Sequence, residues 1–175
     1  MNSTHCKARA NIHFTEYKQK YFAKSNKIDN FAHGKPNVQK TMEQSFIAYI
    51  ENSIKNNWDL DALTDYKGAT LQYKDVARKI EKLHIIFEES GIRKGDKIAV
   101  CGRNSSHWGV TFLATLTYGA VVVPILHEFK ADNIHNIVNH SEAKLLLVGD
   151  MVWENLNESA MPLLEGILMM NDFTL

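Results

Sequence analysis

Three short apolar runs, Lys97-Ile98-Ala99-Val100-Cys101, Val121-Val122-Val123-Pro124-Ile125 and Leu145-Leu146-Leu147-Val148, are separated by two segments of helical period. That alternation constrains the fold more than any other feature of the chain. Runs that are apolar throughout, rather than at every second position, expect a sheet covered on both faces. Short connections that hold one helix each require parallel pairing and right-handed crossovers. The expected fold class is α/β, a Rossmann-like parallel β-α-β-α-β arrangement. Ser105 or Ser106 is placed to cap the first of its helices, which runs to about Tyr118 and ends at Gly119. The second carries Ile134, Ile137 and Val138 on one face.

Upstream, Leu63 to Tyr73 reads as a small hairpin turning on Gly68. A helix follows, with Val76, Ile80, Leu83, His84 and Phe87 on one stripe and Gly91 as its left-handed stop. His84 on that stripe expects a hydrogen-bonded core histidine, not a catalytic one. Before the hairpin, Phe46, Tyr49, Ile50 and Ile54 form another helical stripe, with Thr41 and Gln44 at capping-box spacing. The stretch from Asn104 to His127 holds no Asp, Glu, Lys or Arg, long enough to compete as a membrane span of ~20 residues. A buried helix, a glycine cap and a β-branched strand account for it better, because they explain Gly119 and the three valines.

The 20 Lys and Arg balance 20 Asp and Glu, but unevenly. Residues 1–41 carry eight basic against two acidic side chains, a balance of +6, and residues 42–175 carry twelve against eighteen, −6. The expected organisation is therefore a basic, poorly ordered leader, 1–41, and an incomplete N-terminal α/β domain, 42–175. Nucleic acid is not expected as a partner of the acidic portion. The leader spaces Phe14, Tyr17, Tyr21 and Phe22 among lysines, a pattern that suits a membrane surface or RNA, with peripheral membrane contact the most expected of it. Met42 reads equally as a start of translation, with residues 1–41 upstream of it. Cys6 and Cys101 show no paired spacing, which fits a reducing cytoplasm and not a disulfide or zinc framework. Cys101, inside an apolar run, expects burial. Met151, Met161, Met169 and Met170 read as core filling.

No motif of catalysis emerges from spacing. The junction Gly102-Arg103-Asn104-Ser105-Ser106 places a helix N-terminus beside an arginine, which suits an anion. It lacks the Gly-x-Gly-x-x-Gly and Gly-x-x-x-x-Gly-Lys-Ser/Thr patterns that make such a junction a phosphate site. His107 and Trp108 have no nucleophile and orienting carboxylate at useful spacing. The residues alone assign no active site.

Four blocks in order nevertheless resemble one family. Leu71-Gln72-Tyr73-Lys74-Asp75-Val76 is similar to the opening Leu-Thr-Tyr-x-Glu-Leu box of AMP-forming acyl-CoA synthetases. Gly91-Ile92-Arg93-Lys94-Gly95-Asp96-Lys97-Ile98-Ala99-Val100 resembles their Gly-Val-x-Lys-Gly-Asp-x-Val-Ala-Ile. Asn104 with Trp108, and then Tyr118 to Ile125, are similar to Asn-x-x-x-Trp and Ala-Gly-Ala-Val-x-Val-Pro-Leu. Ile134 to Val148, including His140-Ser141-Glu142-Ala143-Lys144, resembles Ile-x-x-Ile-x-x-His-Ser-x-Ala-Lys. The resemblance covers about residues 44–165 and is nearest to the long-chain fatty acid–CoA ligases. Gln72 and Asp75 depart from the family's Thr and Glu, at the cap of one helix.

The resemblance implies a ligase that joins fatty acid, ATP and CoA to give acyl-CoA, AMP and pyrophosphate, with Mg²⁺. It also implies that the phosphate loop, the ribose-binding Asp, the hinge and the C-terminal Lys belong downstream of the blocks present here. No catalytic, cofactor-binding or metal-ligating residue is therefore assigned. The 175-residue chain is expected to be inactive alone, to bind no cofactor tightly and to need downstream sequence for a complete fold. Two other classes stay open: a non-catalytic nucleotide-binding α/β module using Arg103, and a membrane-associated interaction fragment using the leader.

Overall fold

A computed structural model describes residues 46–173, within the second of two units into which the chain divides, Glu43–Leu175. The leader, Cys6 and the Thr41–Gln44 cap lie outside the described residues. In chain order the elements are α1 (Phe46–Asn56), β1 (Asp61–Thr64), β2 (Thr70–Gln72), α2 (Tyr73–Glu89), β3 (Lys97–Cys101) and α3 (Ser106–Tyr118). Then come β4 (Val121–Ile125), α4 (Ala131–Ser141), β5 (Leu145–Val148), α5 (Asp150–Trp153), a 3₁₀ turn (Glu158–Ala160) and β6 (Gly166–Met169). The α/β class and the parallel sheet expected from the sequence are present.

Four strands form one parallel sheet in the order β4-β3-β5-β6. Its strands alternate between two cores. Ile98, Val100, Leu145, Leu147 and Leu168 face α2 and α3 with Val76, Leu83, Phe87 and Val110. Ala99, Cys101, Leu146 and Val148 face the opposite way, packing with Ile134, Val138, Val152 and Met161. All four residues of β5 are buried, as a central strand covered on both faces must be. β4 lies at an edge, so Val121 is exposed and Pro124, which lacks an N–H, costs no ladder bond on the outer side.

The charge-free stretch resolves into α3 and β4. Buried Thr111 and Thr115 donate to His107 and Thr111 carbonyls one turn back, at 2.8 and 2.9 Å, so their hydroxyls are satisfied in an apolar setting. Gly119 sits at φ 89°, its N–H on Leu116 O and the Ala120 N–H on Thr115 O, a left-handed helix stop. Its carbonyl accepts from Gly95 at 2.9 Å, which joins this turn to the one entering β3. Among the described residues no helix is long and apolar enough to cross a membrane.

The hairpin forms with its first strand two residues earlier and its second shorter than the spacing implied, and its left-handed residue is Lys67 at φ 55°, not Gly68. Gly68 is needed for proximity: a Cβ there would stand 3.0 Å from the Asp65 Cβ. α1 forms, but Phe46 and Tyr49 remain largely exposed and no residue of the helix is buried. Of the four methionines, Met161 and Met170 are core, whereas Met151 is exposed on α5. β6 escaped sequence reading because Gly166-Ile167-Leu168-Met169 is short and lies outside the strand–helix alternation.

His84 behaves as a core histidine. Its Nε2–H donates to Ala114 O at 2.9 Å and lies 3.0 Å from the Thr117 hydroxyl, while its ring meets Tyr118 edge-on at 5.3 Å. Tyr118 in turn donates to Ile92 O at 2.8 Å. Burial pushes His84 down to about 4, the Ala114 carbonyl opposing this only in part. An unfolded histidine takes up its proton near 6.5 and the folded one does not, so stability present above that pH is lost as pH falls toward 4. The loss expected is about 3 kcal/mol. Urea titrations of wild type and His84→Gln between pH 7.5 and 4.5 check this, the variant losing most of the slope.

Candidate functional site

The carboxyl ends of parallel strands are where α/β sheets place ligands, above all where strand order reverses. Here β3 is followed by β4 on one side and, through α4, by β5 on the other, so the reversal lies between β3 and β5. The loops that would cradle a ligand are Gly102–Ser105 after β3 and Gly149 after β5.

That crevice is closed by the chain itself. Gly149 N–H donates to Cys101 O at 3.0 Å. A Cβ on Gly149 would stand 3.6 Å from the Gly102 Cα, and one on Gly102 would meet Met170 Cε at 3.2 Å and Sδ at 3.3 Å. The two glycines bring the loops together and the Met170 thioether roofs them. Cys101 beneath is buried, its thiol pushed up to about 11 by burial and then by the Glu128 charge. A nucleophile needs a thiolate, which this cysteine does not provide.

The second candidate seat, the N-terminus of α3, is also filled. The Ser106 N–H donates to Asp65 Oδ1 at 2.6 Å, and the Ser106 hydroxyl to Asp65 Oδ2 at 2.7 Å. One turn on, the Trp108 N–H donates to the Ser105 hydroxyl at 3.1 Å, so Ser105 is the N-cap. The Ser106 hydroxyl and then its N–H hold Asp65 below its ordinary carboxylate range. An anion attracted to these donors would displace a carboxylate already ionised and bonded twice. Arg103, the residue marked for phosphate, is exposed beside this junction.

Around the junction the structure gathers groups that sequence reasoning left apart. Lys79 Nζ of α2 lies 3.3 Å from His107 Nε2, and Phe173, after β6, meets the His107 ring edge-on at 5.1 Å. Trp108 stacks on Phe112 at 5.4 Å, as part of α3 packing. No sequence signal pairs Lys79 with His107, because 28 residues and a strand separate them. A surface groove beside β6, lined by Met161, Pro162, Leu164 and Ile167 with Glu158 and Glu165, carries two carboxylates and is unsuited to a phosphate. Among the described residues no three His, Cys, Asp or Glu side chains gather as a metal requires. Neither the crevice nor the helix N-terminus thus fits ATP or Mg²⁺.

If the Asp65 carboxylate holds the hairpin on α3, its removal leaves the Ser106 donors unpaired. Asp65→Ala is expected to cost about 1–2 kcal/mol at pH 7, the scale of a lost helix cap. Because the folded-state carboxyl titrates below its unfolded value, the difference is present above the unfolded pKa and fades as pH falls through the folded one. Denaturant midpoints of both proteins at pH 7 and pH 3 measure it.

Comparison with known proteins identifies the family to which this strand–helix order belongs. Residues 50–169 match the AMP-binding enzyme family. The chain is 34% identical over 109 residues to a putative acyl-CoA ligase, YdaB, of Bacillus subtilis, covering 62% of this chain and 22% of that protein. It is 26% identical over 84 residues to a fatty acid–[acyl-carrier-protein] ligase, ScoC, of Streptomyces coeruleorubidus, covering 48% of this chain and 16% of the relative. The fold matches a crystal structure of a long-chain-fatty-acid-CoA ligase, FadD1, from Archaeoglobus fulgidus with a TM-score of 0.65 at 22% identity, over 79% of this chain and 29% of that one. The chain thus spans less than a third of each of these proteins. By a match over more than half its length, it belongs to the AMP-binding enzyme family, the adenylate-forming acid ligases.

Proposed function

We propose that the chain is the N-terminal part of a long-chain fatty acid–CoA ligase and supplies the α/β layer on which the adenylation site is assembled. The observation that carries this reading is the placement of the four family-like blocks. Leu71–Val76 enters α2, Gly91–Val100 forms the turn into β3, Asn104–Ile125 spans α3 and β4, and Ile134–Val148 spans α4 and β5. All four serve packing and chain reversal.

The proposed reaction has two steps. The fatty carboxylate attacks the α-phosphorus of ATP and displaces pyrophosphate, giving an acyl-adenylate. The CoA thiol then attacks the acyl carbon and releases AMP. A carboxylate is a poor electrophile until adenylation supplies that leaving group, and charge on the phosphates needs preorganised donors and Mg²⁺. The 128 described residues hold neither seat open, which supports a scaffold role over the alternative of a free-standing nucleotide-binding module. A cytoplasmic location completes the proposal, supported by unpaired cysteine spacing and the thiol of buried Cys101.

ATP–pyrophosphate exchange tests the reading. The purified chain alone is expected to give no exchange with any acid. Joined to the downstream portion of the Bacillus subtilis relative, it is expected to give exchange that depends on a long-chain fatty acid. Exchange by the chain alone would sink the scaffold role. Exchange by the joined protein with an aryl or amino acid, and none with fatty acid, would sink the substrate assignment.

A further inference from the structure

We infer that Lys79, His107 and Phe173 form a proton-sensitive clasp that holds the segment leaving β6 against α2 and α3. Phe173 is buried yet adopts φ 58°, a left-handed conformation that a bulky side chain keeps only when packing imposes it. Phe173 belongs to the core on the α2–α3 side, and two ring contacts help hold it there. The His107 ring stands edge-on to the Phe173 ring, interplanar angle 87°, and the Lys79 ammonium lies 5.7 Å from its centre. Lys82 Nζ also donates to Asp172 O at 3.3 Å, and the Phe173 N–H to Met169 O at 2.9 Å.

The clasp depends on His107 being neutral. Lysine can only donate, so Lys79 Nζ–H points to a lone pair on His107 Nε2 and the ring proton is on Nδ1. A proton taken from solvent onto Nε2 removes that acceptor and sets two cations 3.3 Å apart. The ammonium must then leave, taking with it the contact on the Phe173 face. The groups facing His107 from its neighbours are Lys79 of α2, Asp65 of the hairpin and Asp172 beyond β6. The two carboxylates favour the imidazolium but Asp65 is already committed to Ser106, and burial with Lys79 outweighs them, so His107 is held below its ordinary range. The clasp therefore stays shut at neutral pH and opens under mild acid.

Amide hydrogen exchange of the full 175-residue chain, followed by NMR with the His107 ring signal as an internal titration, tests this. The protection factor of the Phe173 amide is expected to fall tenfold or more between pH 7.5 and 5, in step with His107. In His107→Gln it should fall no more than the core amides of α2, which follow the global loss expected at His84, and Lys79→Met provides the same profile from the other partner should the first variant fail to fold. Unchanged wild-type protection overturns the clasp. So does an equal fall in both variants, which would report acid unfolding driven elsewhere, as at His84.

Discussion

An ionised carboxylate at the head of a buried helix organises this molecule. α3 packs against the sheet and against α2, and its first turn leaves backbone donors without helical partners. Asp65 satisfies one of them and the adjoining hydroxyl, across 41 residues of sequence. Through that pair the small hairpin is fixed to the main sheet's helical layer, where Leu63 packs on the face of Gly109. The geometry also needs Gly68, whose missing side chain leaves room beside Asp65, and Lys67 in its left-handed turn. The hairpin thus delivers a carboxylate to α3 while Ala62, Leu63 and Leu71 pack on the core.

The same interaction decides what the junction after β3 can do. Strand, glycine, serine and helix N-terminus make up the usual vocabulary of anion binding, and Arg103 sharpens the likeness. What separates a phosphate seat from a structural cap is whether the donors are still available, and here an internal carboxylate has taken them. At the point of strand reversal the exclusion is steric: the Gly102–Gly149 approach leaves no gap and Met170 covers it. Both effects come from segments distant in sequence, the hairpin and the residues after β6.

That distance explains which parts were legible beforehand. Lys97–Cys101, Ser106–Tyr118, Val121–Ile125 and Leu145–Val148 have the limits that their periodicity and caps implied, since local patterning and short connections suffice for them. His84 and Cys101 were readable as core groups because each interrupts an apolar pattern without a partner motif. β6 was not readable: four residues beginning with glycine, beyond a 3₁₀ turn, carry no period. The Asp65–Ser106 and Lys79–His107 pairs were equally hidden, because spacing in sequence says nothing about groups brought together by a crossover. The exposed stripe of α1 shows the converse limit, since amphipathic spacing identifies a helix without saying what covers it.

The two cores differ in their helical cover among the described residues. On the α2–α3 side the sheet is covered by a helix of 17 residues and one of 13, tied by the His84–Ala114 and Tyr118–Ile92 hydrogen bonds. On the other side, among the described residues, α4 is joined by the short α5 and the 3₁₀ turn, held through Asn139 to Ala160 and Asn157 to His135. Among the described residues, helical cover is thus longer on one face than on the other. Asn139 illustrates the difference, for its amide nitrogen is bonded while its buried Oδ1 has no partner. An orphaned buried acceptor costs free energy, and it lies on the face with the shorter helices. The face with the longer described helices is the one that carries the hairpin, α2 and α3, where three of the four family-like blocks begin.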